Sequence, residues 1–218
     1  MPDILGNDTA TVSRQDKERG VDLLSAGCSK GLLIMATKRA VKTKCEDIFI
    51  AGFGGQGIMF MGKLLAAAGL AGGYQVTWMP SYGAEVRGGT AYSMTKISDG
   101  DIASPIVSDP DILVVMNRPS LLKYQAAVKE GGILIANKTL VGEVERRKLI
   151  QTVNAALTAI ASKLGDVRCA NMVAVGAIAK RSKFITLKNV LKALEDAFKN
   201  KPELFALNKK AVEVGFKL

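Results

Sequence analysis

The chain contains no histidine, and that gap alone removes imidazole acid–base catalysis and the usual histidine-bearing zinc sites. Cysteine is nearly as sparse. Cys28, Cys45 and Cys169 stand far apart with no C-x-x-C pair among them, so neither a disulfide scaffold nor an iron–sulfur cluster nor a structural zinc is expected here. No run of eighteen apolar residues is uninterrupted, which predicts no transmembrane helix and no membrane partner. The first residues include Asp3 and Asp8 and do not read as a secretory leader, so a cytoplasmic location is expected. Also missing are a serine in a G-x-S-x-G elbow and the Lys-Ser or Lys-Thr ending of a Walker loop, which sets aside hydrolases and ATPases of those kinds. The formal charge of +10 calls for an anionic partner, but the basic residues are mostly scattered singly. Aromatics do not interleave with them as a stacking platform requires, so no nucleic-acid partner is expected.

What is present is a chain of 218 residues, 48% of them apolar, enough for one substantial α/β core. Residues 1–44 read differently from the rest: polar and glycine-broken, with a basic stretch at residues 38–44, they form an expected N-terminal extension, part of it disordered, and Met35 is a plausible alternative start. Residues 45–218 form the expected α/β domain. Its clearest feature is the run from Ile48 to Gly57. Four apolar residues fit a buried parallel strand, and Gly52, Gly54, Gly55 and Gly57, with Gln56 among them, allow a tight turn into an apolar helix over residues 58–70. Such a turn aims backbone N–H groups and a helix dipole at an anion, phosphate above all. The same spacing also serves close helix–sheet packing, and both readings stand at this point.

The second predicted strand, residues 75–79, ends on Trp78, Met79 and Pro80. A nicotinamide or flavin dinucleotide fold would place an acid there for the ribose, so its absence argues against NAD or FAD. Next, Ser81, Tyr82, Gly83, Glu85, Arg87, Gly88 and Gly89 crowd an acid, a base, a phenol and three glycines between two extended stretches. As a loop at the carboxyl end of the sheet beside the first glycine turn, it would offer Arg87 to a carboxylate or phosphate and Glu85 as its partner or as an acceptor. The competing reading is a glycine-rich turn with a local surface ion pair.

Residues 90–97 alternate Tyr92, Met94 and Lys96 against Ala91, Ser93 and Thr95, which predicts a strand with unlike faces, antiparallel or at an edge. Residues 102–107 are expected as a short strand or turn. A core strand over residues 111–116 leads through Asn117, a ligand contact or a cap, into a helix over residues 119–129 with Leu122, Ala126 and Ala127 as its apolar stripe. A further core strand follows at residues 133–136, then a polar stretch at 140–148, a strand at 149–153 and a helix at 155–164. Small apolar residues from 170 to 180, opened by Asn171, suit burial or a subunit seam. Thr186 is placed to cap a helix over residues 187–199, and a last helix follows Pro202. The fold class expected is α/β, a Rossmann-like three-layer sandwich with a mostly parallel sheet, an antiparallel addition and a helical C-terminal region.

The glycine segments are equipped to bind and poorly equipped to react, since without histidine no acid–base set stands beside them. No catalytic and no metal-ligating residue is therefore assigned. The motifs Gly52-Phe53-Gly54-Gly55-Gln56-Gly57, Ser81-Tyr82-Gly83-Ala84-Glu85-Val86-Arg87-Gly88-Gly89 and Asn171-Met172-Val173-Ala174-Val175-Gly176-Ala177 together resemble the gamma subunit of 2-oxoacid:ferredoxin oxidoreductases, over residues 46–198. The long N-terminal extension departs from that pattern. The resemblance implies a non-redox subunit of a complex that converts a 2-oxoacid, coenzyme A and oxidised ferredoxin to acyl-CoA, carbon dioxide and reduced ferredoxin. It implies alpha and beta partners, a delta chain in some members, and ferredoxin reached through the complex. Thiamine diphosphate, magnesium and iron–sulfur clusters would belong to those chains, with coenzyme A at the subunit edge. Gly52, Gly54, Gly55, Gln56, Gly57, Ser81, Tyr82, Gly83, Glu85, Arg87, Gly88, Gly89, Asn117 and Asn171 are the candidate site residues. Among members acting on pyruvate, 2-oxoglutarate, branched-chain 2-oxoacids or indolepyruvate, the chain looks most like the 2-oxoglutarate group. A free-standing nucleotide- or coenzyme A-binding module is the alternative.

Overall fold

The computed structural model of the protein describes residues 43–81 and 90–218, through which runs a six-stranded sheet. Its centre is β1 (Cys45–Phe53), flanked by β4 (Ile112–Val115) in parallel and β3 (Thr90–Ser98) in antiparallel pairing. Beyond them lie β2 (Gln75–Ser81) on one side and β5 (Ile133–Asn137) and β6 (Gln151–Ala155) on the other, giving the order β2-β3-β1-β4-β5-β6. β3 pairs antiparallel with β2 as well, and β4, β5 and β6 are parallel.

Side chains alternate across this sheet into two cores. Ile48, Ile50, Ile112, Val114 and Ile135 face the layer of α1 (Ile58–Ala71), α4 (Leu157–Lys163), α5 (Ala170–Ala179), α6 (Leu187–Ala197) and α7 (Pro202–Phe216). Phe49, Ala51, Leu113, Val115 and Leu134 face the opposite layer, which contains α2 (Arg118–Tyr124) and α3 (Lys138–Val141). The expected three-layer α/β sandwich with its antiparallel addition and helical C-terminal region is thus the observed one. The helix after β1 lies on one face and the helix after β4 on the other. Their connections diverge from neighbouring strands, which opens a crevice above the carboxyl ends of β1 and β4.

Several local expectations shift. The third strand is antiparallel as read, but it is an interior strand with β2 outside it. Its polar face is the one buried under α1: Ser93 and Thr95 are fully buried, with Trp78 Nε1–H donating to Ser93 Oγ at 2.8 Å and Thr95 Oγ1 donating to the Gly62 carbonyl at 3.4 Å. Small hydroxyl residues are needed there because α1 comes so close that a Cβ on Gly62 would meet Ser93 Oγ. The helix expected to 129 ends at Tyr124 and passes into a 3-10 turn, Gln125–Ala127. Its buried side carries Ser120 and Leu121, whereas Leu122 is 63% exposed, so the stripe through Leu122, Ala126 and Ala127 is out of phase. The last strand begins at Gln151 instead of 149, leaving Leu149 exposed, and the helix after it starts at Leu157. Residues 102–107 form no strand, although Val107 is buried. Helix α5 is buried within the chain, its Gly176 against the backbone of α7, so no subunit seam is needed to cover it. Pro202 opens α7 from its first turn, where a missing N–H is harmless.

Charged groups gather at the amino end of the sheet. Lys129 Nζ bridges Asp47 Oδ2 at 3.3 Å and Asp111 Oδ2 at 3.1 Å, and Asp111 Oδ2 also accepts the Asp47 N–H at 2.8 Å. Glu46, 3% exposed, accepts hydrogen bonds from the Ser182 hydroxyl and the Lys183 N–H. Burial raises its carboxyl above the ordinary value, against the opposing pull of those two donors. These groups tie β1 to the segment before α6 at the end of the sheet away from the glycine turn.

Candidate functional site

The glycine turn is a strand-to-helix connection held from both sides. β1 ends at Phe53, and Gly57 stands as N-cap of α1 at φ 73, a left-handed conformation that disfavours any side chain. Gly57 has no side chain with which to cap this helix end, and the first intrahelical bond runs from Met61 N–H to the Gly57 carbonyl at 2.9 Å. The amides from Ile58 to Phe60 therefore have no helix carbonyl to meet and point, with the positive end of the dipole, over the carboxyl edge of the sheet. That geometry suits an anion bound by backbone N–H groups.

Gln56 is directed inward. Its Oε1 accepts the Phe53 N–H at 2.7 Å and its Nε2 donates to the Met116 carbonyl at 3.3 Å. Gly52 is buried and has no room for a Cβ, which would lie 2.5 Å from Gln56 Oε1 and 3.0 Å from Met116 Cβ. Asn117, 2% exposed, caps α2 by accepting the Ser120 N–H at 2.8 Å, and its Nδ2 lies 3.5 Å from Gln56 Oε1. Asn171 reaches the turn from α5: a Cβ on Gly57 would fall 2.2 Å from its Nδ2. The structure therefore gathers Gly52, Gly54, Gly55, Gln56, Gly57, Asn117 and Asn171 at one end of the sheet.

The strand ends on either side of the second glycine-rich segment lie at this end of the sheet. Ser81 is the last residue of β2, and Thr90, the first of β3, is in register with Phe53 at the end of β1. Tyr82, Gly83, Glu85, Arg87, Gly88 and Gly89 lie outside the described residues. Because β3 separates β1 from β2, the end of β2 is two strand spacings, about 10 Å, from β1. A dinucleotide fold puts its ribose acid on the strand beside β1, and here that neighbour runs antiparallel.

Sequence reasoning missed the apolar half of the site. A cleft of about 310 Å³ opens beside the turn, lined by Phe53, Met59, Phe60 and Ala91 together with Gly54, Gly55, Gly57 and Ile58. Phe53 is 39% exposed at its mouth. The signal available was a phenylalanine inside the glycine motif, where a small residue would make the turn as well. Among the described residues no group of three or more Cys, Asp or Glu side chains could hold a metal ion.

The sequence pattern describing pyruvate ferredoxin/flavodoxin oxidoreductase matches residues 47–218, from β1 through α7. The chain belongs to that family. A Methanothermobacter thermautotrophicus protein named 2-oxoglutarate synthase subunit KorC is 36% identical over 159 residues, covering 70% of this chain and 84% of its own. The common gamma subunit of pyruvate/ketoisovalerate oxidoreductases of Thermococcus litoralis is 32% identical, covering 78% and 95%. Ketoisovalerate oxidoreductase subunit VorA of Methanothermobacter marburgensis is 34% identical over 76% of this chain, which spans only 35% of that longer protein. Among solved structures, the gamma subunit of a keto/oxoacid ferredoxin oxidoreductase from Geobacter sulfurreducens superposes with a TM-score of 0.67 at 32% identity, over 79% of this chain and 96% of that one. The 2-oxoglutarate:ferredoxin oxidoreductase of Magnetococcus marinus, determined with 2-oxoglutarate, coenzyme A and succinyl-CoA bound, superposes at 0.71 with 25% identity, over 80% of this chain and 31% of that one. The family's gamma chains are thus matched nearly end to end, and its longer chains in one part only.

Proposed function

We propose that this chain is the non-redox gamma subunit of a 2-oxoacid:ferredoxin oxidoreductase. The complex would take a 2-oxoacid, coenzyme A and two oxidised ferredoxins to acyl-CoA, carbon dioxide, a proton and two reduced ferredoxins. The observation that carries the reading is coverage: proteins named as gamma subunit or KorC are matched over 95% and 84% of their length. In this reading the alpha and beta chains, with a delta chain where one exists, hold thiamine diphosphate, magnesium and the iron–sulfur clusters and pass electrons to ferredoxin. All of this takes place in the cytoplasm. The 2-oxoacid is read as 2-oxoglutarate ahead of pyruvate, because two KorC relatives are 36% and 37% identical and the common gamma subunit 32%.

Within the complex this chain's own part is to bind and orient. The amides of the first turn of α1, which have no helix carbonyl to meet, suit a phosphate of coenzyme A, and the adjoining apolar cleft suits the less polar remainder of the molecule. Arg87 and Glu85 of the second glycine segment, which follows Ser81 at the end of β2, would complete the edge that faces coenzyme A and the partner chains. The family membership disfavours a free-standing nucleotide-binding module.

Purification of the tagged chain from its native cell, followed by 2-oxoacid-dependent dye reduction with and without coenzyme A, tests the proposal. The expected result is recovery with thiamine-enzyme chains, turnover that requires coenzyme A, and no turnover by the isolated chain. Saturable nucleotide binding by the isolated chain, recovered without enzyme partners, would overturn it.

A further inference from the structure

We infer that Gln56 is a positioning residue, whose side-chain amide locks the glycine turn to the end of β4 and thereby sets the affinity for coenzyme A without touching it. The inference rests on the reading of the turn as the coenzyme A-facing edge. A residue in a glycine-rich ligand turn would be expected to face outward. Gln56 instead spends both halves of its amide on the chain's own backbone, accepting from Phe53 N–H at 2.7 Å and donating to the Met116 carbonyl at 3.3 Å. Those contacts join the ends of two adjacent parallel strands across sixty residues of sequence. Asn117 Nδ2 approaches the same Oε1 at 3.5 Å while its Oδ1 is committed to the Ser120 N–H, so the tie continues into α2. Gly52 leaves the space the amide occupies, since a Cβ there would lie 2.5 Å from Oε1.

The chemistry asks for glutamine in particular. One planar group has to accept on one side and donate on the other, which an ionised carboxylate cannot do, and asparagine is one methylene shorter. The described groups that hydrogen-bond the amide are the Phe53 N–H, the Met116 carbonyl and the Asn117 side chain, none of them ionisable. Arg118, next in sequence, donates through Nη1 to the Val141 carbonyl at 3.0 Å. The site is thus built around a neutral hydrogen-bonding bridge. Without it no side-chain hydrogen bond among the described residues fixes the turn to the end of β4, and its amides lose the orientation that a bound phosphate requires.

The test uses the complete complex with its partner chains. Gln56→Ala should raise the KM for coenzyme A about tenfold, the equivalent of one or two net hydrogen bonds. Its kcat at saturating coenzyme A and its KM for the 2-oxoacid should move by less than about twofold. Gln56→Glu supplies a readout that simple loss of stability would not move. Its neutral carboxyl reproduces the accept-and-donate pattern, while its ionised form sets a carboxylate against the Met116 carbonyl. The ratio of its KM for coenzyme A to that of the unaltered complex should therefore exceed one where the carboxylate is ionised and fall as pH is lowered towards the carboxylate range. Amide hydrogen exchange at Phe53, whose N–H donates to Gln56 Oε1, should speed up about tenfold in Gln56→Ala without coenzyme A. Unchanged exchange overturns the tie, and faster exchange with an unchanged coenzyme A KM overturns its role toward the ligand. If the unaltered complex showed no dependence on coenzyme A, the functional reading would fall while the exchange comparison still judged the tie.

Discussion

Replacing Gly57 by alanine puts a methyl group where two constraints already meet. At φ 73 the residue is left-handed, which costs a residue with a Cβ about 1–2 kcal/mol. The new Cβ would also stand 2.2 Å from Asn171 Nδ2, so the amide has to withdraw. Asn171 is held in place by its Oδ1, which accepts the Met172 N–H at 2.8 Å at the start of α5, and losing that bond costs about 1 kcal/mol. Together these give a destabilisation of about 2–3 kcal/mol. For a slope of roughly 2 kcal/mol per molar urea, the midpoint falls by about 1 M. The pair Gly57→Ala and Asn171→Ala should couple. Once Asn171 is truncated its withdrawal costs nothing, so the double variant should be about 1 kcal/mol more stable than the sum of the single losses predicts. Urea unfolding of the four proteins measures each quantity. A Gly57→Ala chain within about 0.5 kcal/mol of the original would refute the reasoning, and full additivity would show that Asn171 does not feel the substitution.

Three further outcomes follow from the same geometry. Gly215→Ala should destabilise by about 3 kcal/mol, because its Cβ would meet the Val173 carbonyl oxygen at 2.0 Å and backbone of α5 cannot turn aside as a side chain can; thermal unfolding reads the loss. Glu46 has a folded pKa above its unfolded value, so its contribution is fully present below the unfolded value and is lost as pH rises through the folded one. Unfolding midpoints of Glu46→Gln should accordingly gain on those of the original chain as pH rises from about 4 to 8, and a widening deficit would contradict the assignment. The Cys45 thiol is pushed up to about 11, first by burial and then by the Asp47 carboxylate, so peptide mapping after iodoacetamide at neutral pH should find it far less alkylated than an ordinary thiol, with Asp47→Asn speeding the reaction.

The strands were legible where burial is two-sided. The apolar run from Ile48 to Ala51 is the part of β1 that pairs with β4, whereas the full length from Cys45 to Phe53 pairs with β3, so apolar pattern alone gave a strand too short at both ends. The same logic explains the misread helix. Leu122 and Leu121 are equally apolar, and only the position of β1 and β4 beneath α2 decides that Leu121 is covered and Leu122 is not. In β3, alternation correctly announced two unlike faces. It could not announce that the serine–threonine face goes inward, because that depends on how closely α1 approaches at Gly62.

By itself the sequence determined the class of fold, the glycine turn after the first strand, the cap at Thr186, and the glycine segments on which the family resemblance rests, while it left Asn117 open between a cap and a ligand contact. These are local properties: period, side-chain volume, and backbone freedom at single positions. Only the tertiary structure decided what the turn is held by. Gln56 meets Met116, and Gly57 meets Asn171, across separations that no periodicity records, and the apolar cleft forms only because Ala91 of β3 is brought beside Phe53 and Phe60. The physical reason is that a glycine turn is shaped by its own residues but aimed by its neighbours, and those neighbours are chosen by the order of strands in the sheet.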